Sequence, residues 1–175
     1  MVTLPKRNLK NILFIYRVFL SFAVIALLSI FFPQILGNGK AGLLFFLHEE
    51  SHLSYIFSLF LAKSLAIYLV IYSGAKGGKI APSMMLGGAC GLLLASFSNH
   101  FLGFDISPVL AIIIGASLFL GIINDMFLAA PLFLIEITGQ SLTTLIPILV
   151  ASLTAFLLQK YLQQRLLIIP KKVRS

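Results

Sequence analysis

Long apolar runs, separated by short polar or Gly- and Pro-containing breaks, make up most of this chain. Residues 11–32 and 53–72 form two runs of about 20 residues, the length that an α-helix needs to cross the hydrocarbon core of a bilayer. The remaining apolar runs are shorter and lie at residues 42–47, 81–97, 108–123, 126–137 and 141–158. The pattern predicts an all-α, polytopic membrane protein with about seven to eight broken helices of unequal length.

The short runs bear on function as well as on fold. Irregular backbone at membrane depth persists only where it is buried in protein or lines a cavity. Short, interrupted helices of this kind are typical of the midplane binding sites of transporters. The run lengths therefore favour a transport pathway over a bundle of simple membrane anchors.

The break at Gly77–Pro82, with the sequence GGKIAP, lies between two apolar runs. A Gly-Gly pair followed by Pro predicts a turn and the start of a helix. The first backbone N–H groups of a helix have no partner within it and carry the positive end of the helix dipole. In a site poor in water, such a helix start binds anions without a cationic side chain, and Gly lets an ion approach the backbone. An ordinary loop between spanning helices is the alternative interpretation.

Composition and charge agree with a membrane location. The chain is 59% hydrophobic and 10% charged, against about 25% charged residues in soluble domains, and its mean hydropathy is +1.06. The net charge of +8 is typical of signals for membrane orientation and of contacts with lipid headgroups. We expect no nucleic-acid partner, because the basic residues are spread over tails and loops and belong to no folded soluble domain.

Both ends of the chain are basic, so the positive-inside rule predicts that both termini are cytoplasmic. We expect a basic tail at residues 1–11, a single transmembrane domain at residues 12–165 and a second basic tail at residues 166–175. The expected location is a bacterial cytoplasmic (inner) membrane. Lys76 and Lys79 lie beside the Gly-rich break, where they either attract anions or act as interfacial lysines.

The segment HEESH matches the H-E-x-x-H pattern of zinc proteases. On one helix, His48 and His52 would share a face and could bind zinc, with Glu49 as the general base. An intramembrane zinc metalloprotease is therefore an alternative hypothesis. The second acid at Glu50, the position between two apolar runs and the lack of a clear third-ligand motif favour a solvated connection instead, so we expect no metal.

A few polar or reactive residues interrupt the apolar runs. Glu136 is a candidate functional residue because an ionisable group is costly inside a membrane, and capping or bracing of neighbouring helices is favoured over a proton relay. Snorkelling or pairing would accommodate Lys63 and Arg17. Asp125 is expected to cap the helix that follows it, and Cys90 is expected to be a small core residue.

The segment from Gly77 to Gly87, GGKIAPSMMLG, resembles the G-G-x-F/I-A-P…G signature in the second half of the CLC family of chloride channels and chloride/proton antiporters. Four further segments agree with that family in order along the chain: FPQILGNG at residues 32–39, ISP to GA at residues 106–116, APLFLIEITG at residues 130–139 and IP at residues 146–147. Each segment alone is a weak signal, whereas the ordered combination is specific.

CLC proteins are homodimers in which each subunit has its own anion pathway, built from two inverted repeats, and this chain resembles the second repeat with one preceding helix. The resemblance implies transport of chloride or a similar anion across the membrane, without covalent chemistry or a cofactor. It implies an anion held by backbone N–H groups at Lys79 and Ile80, flanked by Gly78 and Ala81. It also implies roles at helix starts or in helix packing for Gly77, Pro82, Gly87, Pro131 and Glu136.

Two first-repeat motifs of the family, G-S-G-I-P with its selectivity serine and G-R/K-E-G-P with its gating glutamate, do not occur in this sequence. The family's anion-coordinating tyrosine would fall near Ile168, and Tyr161 lies about two helical turns earlier. We therefore expect a partial or split subunit that works as a homodimer or with a complementary first-repeat half. A non-transporting membrane fragment or interaction subunit is the alternative, and channel and antiporter mechanisms both fit the residues present.

Overall fold

The computed structural model describes residues 9–37, 39–48, 52–75 and 77–167. Within these ranges the chain forms seven α-helices and two short 3-10 helices, and it contains no strand. The prediction of an all-α, polytopic fold is confirmed. The α-helices are α1 (Leu9–Phe31), α2 (Lys40–His48), α3 (Leu53–Ser73), α4 (Ile80–Phe101), α5 (Pro108–Asn124), α6 (Ala129–Thr138) and α7 (Leu145–Leu167), and the 3-10 helices are Pro33–Ile35 and Leu142–Thr144.

Within the described residues, four helical stretches are long and apolar enough to cross a membrane. The shorter apolar helices α5 and α6 do not reach that length, as the run lengths in the sequence indicated. The chain is therefore an integral membrane protein. The four candidate spans are Ile12–Phe31, Leu53–Ser73, Ile80–Phe101 and Leu142–Arg165.

Helix α4 is longer than its apolar run. The predicted helix ended at Phe97, but α4 continues through Asn99 to Phe101. The Asn99 side chain donates to the carbonyl oxygen of Ile106 and accepts from its backbone N–H, both at 2.9 Å. This pair of hydrogen bonds ties the end of α4 to the loop before α5, so a polar residue stabilises the last helical turn.

Three of the described helices are followed by a C-cap residue in the left-handed backbone conformation. Gly74 follows α3 with φ 78°, and Gly139 follows α6 with φ 66°, the conformation that Gly adopts at low cost. Asp125 ends α5 with φ 55°. The expectation that Asp125 caps the next helix is wrong, because α6 begins only at Ala129 and its N-cap is Leu128.

The closest helix packing joins α4 to α5 through glycines. A Cβ atom added at Gly87 would overlap the carbonyl oxygen of Gly115, and one added at Gly91 would overlap that of Ala111. Small residues of this kind let two membrane helices approach with their backbones in contact. Gly87 therefore lies at the closest approach of α4 to α5.

Helix α4 lies at the centre of the molecule, and α1 and α7 lie at its edge. The buried share of the spanning stretch is 44% for α4 but only 11% for α1 and for α7. Leu43 of α2, Leu59 of α3 and Ile113 of α5 are fully buried in the core that contains Met85 of α4. The outer faces carry many exposed large apolar side chains, which is expected where a surface faces lipid.

Candidate functional site

The start of α4 presents backbone N–H donors that have no acceptor among the described residues. Lys79 is the N-cap residue, with φ −91° and ψ −21°, and no side chain caps the helix. Among the described residues, no acceptor takes a hydrogen bond from the backbone N–H of Lys79, Ile80 or Ala81. The first backbone donor with a partner is Ser83, whose N–H lies 3.2 Å from the carbonyl oxygen of Lys79.

These donors lie beside an open crevice of about 490 Å³. The crevice brings together the starts of α2 and α4 with the ends of α5 and α6. Two of its lining residues are lysines, and none of its described lining residues is acidic. The helix dipole and the lysines therefore give this crevice a positive potential. The lining residues are Lys40, Gly78, Lys79, Ile80, Ala81, Met84, Asn124, Phe133 and Ile137.

The start of α2 contacts the start of α4 directly. Gly39 is buried and has φ 76°, and a Cβ atom there would overlap the carbonyl oxygen of Ala81. Gly39 also accepts the first backbone hydrogen bond of α2, from Leu43 at 2.9 Å. Only Gly satisfies both the left-handed backbone and the close approach. Two helix N-termini consequently meet at one crevice, which the sequence alone did not predict.

The crevice is open to the outside in this chain. Gly77 and Gly78 are exposed, and a Cβ atom at either would meet nothing within 4 Å. Lys79 and Ile80 are exposed as well. Pro82 is the third residue of α4, where its missing N–H costs no helical hydrogen bond. The described residues therefore do not enclose the water-poor site that anion binding at this helix start would need.

Two predicted structural positions lie on α6. Pro131 is fully buried near the start of that helix. Glu136 is exposed, and its carboxylate makes no hydrogen bond or ion pair with the described residues. The expected brace between helices is thus not formed by Glu136 within the described part of the chain.

The two histidines of the H-E-x-x-H segment do not share one helix. His48 is the last residue of α2, and His52 precedes α3 with ψ 138°. The zinc-binding arrangement on a continuous helix is therefore not formed by these two residues. Glu49 and Glu50 lie outside the described residues, and the described residues contain no cluster of three or more His, Cys, Asp or Glu side chains able to hold a metal ion.

Two cations inside apolar runs have different surroundings. Arg17 is exposed and lies 5.9 Å from the centre of the Tyr72 ring. Lys63 is 5% exposed, and its Nζ donates to the carbonyl oxygens of Ile35 at 2.6 Å and Gly37 at 3.3 Å. Lys63 does not snorkel, because its side chain is buried, and its partners within the described residues are backbone carbonyls. A lysine within an apolar run was the signal available in the sequence.

On α7, Arg165 contacts Tyr161, with Nε 3.1 Å from the phenol oxygen. Both residues are exposed and lie outside the crevice lining. Ile168, the position expected to correspond to the family tyrosine, lies outside the described residues.

One protein family and several curated relatives are similar to this chain. Residues 2–160 match the family described as voltage gated chloride channel. The voltage-gated ClC-type chloride channel ClcB of Citrobacter koseri is 29% identical over 143 residues, which cover 81% of this chain and 34% of the relative. ClcB of Salmonella typhimurium is 29% identical over 80% of this chain and 34% of the relative, and ClcB of Escherichia coli O81 is 30% identical over 67% and 28%.

The chain spans about a third of the length of the curated relatives it matches. No solved structure matches it at a significant level.

Proposed function

This chain belongs to the voltage-gated chloride channel (CLC) family, and from that premise we propose that it forms one part of a pathway for chloride or a similar anion across a membrane. The observation that carries the proposal is the start of α4. Its first N–H groups are free of acceptors among the described residues and lie beside a crevice with two lysines.

The proposed mechanism is replacement of water by backbone amides. An anion that enters the crevice loses part of its hydration shell, and the N–H groups of Lys79 and Ile80 replace the lost water as hydrogen-bond donors. Gly78 and Ala81 flank these donors. Because the ligands are neutral amides at the end of a helix dipole, the anion is attracted without a tight ion pair that would slow its release.

We propose that a second protein surface closes the crevice. The exposure of Gly77, Gly78 and Lys79 and the coverage of about a third of the relatives' length both support an incomplete pathway. A complementary half carrying the first repeat, a second copy of this chain, or both would supply the missing wall. A chain that only assembles with other subunits and transports nothing is the second candidate, which the open crevice also fits.

Anion efflux from proteoliposomes tests this function. The chain is reconstituted alone and together with a first-repeat half of a CLC protein, and chloride efflux is measured with an ion-selective electrode. We expect no efflux above empty vesicles from the chain alone and clear efflux from the pair. Efflux equal to that of the first-repeat half alone, with association of the two proteins shown by co-purification, would support the interaction subunit and contradict anion transport.

A further inference from the structure

Lys63 is a buried cation outside the lining of the crevice. It lies midway along α3 and is 5% exposed, yet it does not belong to the crevice lining. Within the described residues, no carboxylate lies within ion-pair distance of its Nζ atom, and its partners are the carbonyl oxygens of Ile35 and Gly37. Burial of an ammonium group is costly unless hydrogen bonds offset it. The position of Lys63 therefore depends on its hydrogen bonds to these two carbonyl groups.

The two carbonyl groups belong to residues 33–37, the segment before α2. Ile35 is the last residue of the 3-10 helix Pro33–Ile35, where carbonyl groups have no helical partner left. The Lys63 ammonium satisfies these carbonyls with charge-assisted hydrogen bonds, which are stronger than neutral ones. Tyr55, also on α3, makes a second contact with this segment through its hydroxyl, which donates to Oε1 of Gln34 at 3.0 Å.

The same segment connects α3 to the crevice. Two residues beyond Gly37, Gly39 is packed against the carbonyl oxygen of Ala81 at the start of α4. The next residue is Lys40, which begins α2 and lines the crevice. The contacts therefore form a chain from Lys63 through the 3-10 helix and Gly39 to the start of α4.

We propose that Lys63 is a positioning residue for the anion crevice: its ammonium group holds the segment before α2 against α3, and thereby holds the start of α2 against the start of α4. This inference rests on the proposed function for its consequence in anion binding. Its structural part, the distance between Lys40 and Lys79 across the crevice, does not depend on that function.

Substitutions at Lys63 separate its charge and donors from its bulk. Lys63→Met keeps an unbranched apolar side chain of similar bulk but leaves the buried carbonyl of Ile35 and the part-buried carbonyl of Gly37 without this donor. Lys63→Arg keeps the charge and the donors. Tyr55→Phe removes a neutral hydrogen bond to the same segment. Ser117→Ala is the matched control elsewhere, because the hydroxyl of Ser117 lies 3.4 Å from that of Ser152 in a fully buried contact between α5 and α7.

Hydrogen exchange on the full chain in detergent provides the first measurement. We expect Lys63→Met to accelerate amide exchange in residues 39–48 at least about tenfold, the effect of losing a charged hydrogen bond. Tyr55→Phe should have a smaller effect, and Lys63→Arg should restore protection. Ser117→Ala should accelerate exchange in α5 and α7 and leave residues 39–48 unchanged. Acceleration spread evenly over all helices in Lys63→Met would mean general destabilisation and would overturn the proposal.

Two further measurements test whether the segment before α2 controls the geometry of the crevice. A short amine-reactive cross-linker should join Lys40 to Lys79, and the yield, quantified by mass spectrometry, should fall in Lys63→Met and recover in Lys63→Arg. An unchanged yield overturns the proposal whether or not any anion binds. Chloride affinity per folded molecule, measured by titration calorimetry, should fall at least about tenfold in Lys63→Met but not in Ser117→Ala.

The experiments distinguish failure of the proposed anion transport from failure of the positioning role of Lys63. Unmodified protein that binds no chloride, even with a first-repeat half, contradicts the proposed function, while exchange and cross-linking still decide the role of Lys63. Chloride binding that Lys63→Met leaves unchanged contradicts the positioning role and leaves the proposed function standing.

Discussion

At the scale of single residues, the backbone of Lys79 matters more to the proposed site than its side chain. Its N–H belongs to the three at the start of α4 that have no acceptor among the described residues. Its ammonium group is exposed, so water and salt screen its attraction for an anion. The physical expectation is that deleting an amide donor weakens binding more than deleting the charge does.

Lys79→Ala and Lys79→Pro separate these two contributions. Lys79→Ala removes the charge and keeps the N–H, so we expect chloride affinity to fall less than about fivefold. Lys79→Pro removes both, and the loss should be at least about tenfold. Proline is tolerated at a helix start, and the preceding Gly78 has no Cβ atom to clash with the ring.

The measurement is titration calorimetry on the chain with its first-repeat half, or chloride efflux from vesicles that contain both. Unchanged helical content and unchanged exchange protection along α4 serve as the control for folding. Equal losses in Lys79→Ala and Lys79→Pro would assign the effect to the ammonium group and contradict amide coordination.

At the scale of elements, the contact between α4 and α5 organises the described part of the chain. The crossing is close because Gly87 and Gly91 of α4 face the backbone of Gly115 and Ala111 on α5. In lipid, helix association gains little from the hydrophobic effect, so close van der Waals packing has to supply the stability. One methyl group at this contact would separate two backbones rather than displace a flexible side chain.

Substitution by Ala should destabilise the protein at one glycine and leave its stability nearly unchanged at another. Gly91→Ala places a Cβ atom against the backbone of Ala111, and we expect a loss of about 1–3 kcal/mol in the free energy of unfolding. Gly77→Ala meets open space, so its effect should stay within about 0.5 kcal/mol. Unfolding in mixed detergent micelles, followed by circular dichroism, gives both values. A Gly91→Ala protein as stable as Gly77→Ala would show that α4 and α5 are not packed as described.

At the scale of the whole molecule, the number of candidate spanning helices and the basic charge of the two ends both favour termini on the same side of the membrane. Four candidate spans place the two ends of the chain on the same side if only these helices cross the membrane. Both ends are basic, which favours the cytoplasmic side. In this arrangement the short helices α5 and α6 add no crossing: α5 packs against α4 and α7, and α6 packs against α5 and α7.

Reporter fusions check this topology. Alkaline phosphatase fused after residue 175 or before residue 1 should be inactive in a bacterial host, and green fluorescent protein at the same positions should be fluorescent. A fusion in the loop at residues 102–107, between α4 and α5, provides a comparison within the chain. Active phosphatase at one end only would require an odd number of crossings and would contradict the four-span arrangement.

Much of the fold could be predicted because it depends on local chemistry. Apolar run lengths indicated the long helices α1 and α3 and the short helices α5 and α6, but they underestimated α4 and α7, which continue past their apolar runs. The Gly-Gly…Pro pattern indicated a helix start within residues 77–82, and α4 begins at Ile80. The role of Gly87 in close packing followed from the small-residue pattern. The end of α4 at Phe101 was missed because a side chain of that helix, Asn99, bonds a loop residue seven positions later.

The sequence by itself determined that this is an all-α membrane protein, that it belongs with CLC proteins and that a helix begins near Lys79. These features depend on composition, periodicity and backbone rules that act over a few residues. Only the tertiary structure decided that Lys40, Asn124 and Phe133 line the crevice beside that helix start, and that Lys63 holds the carbonyls of Ile35 and Gly37. Such contacts join residues far apart in the chain, and the mutual packing of the helices selects them.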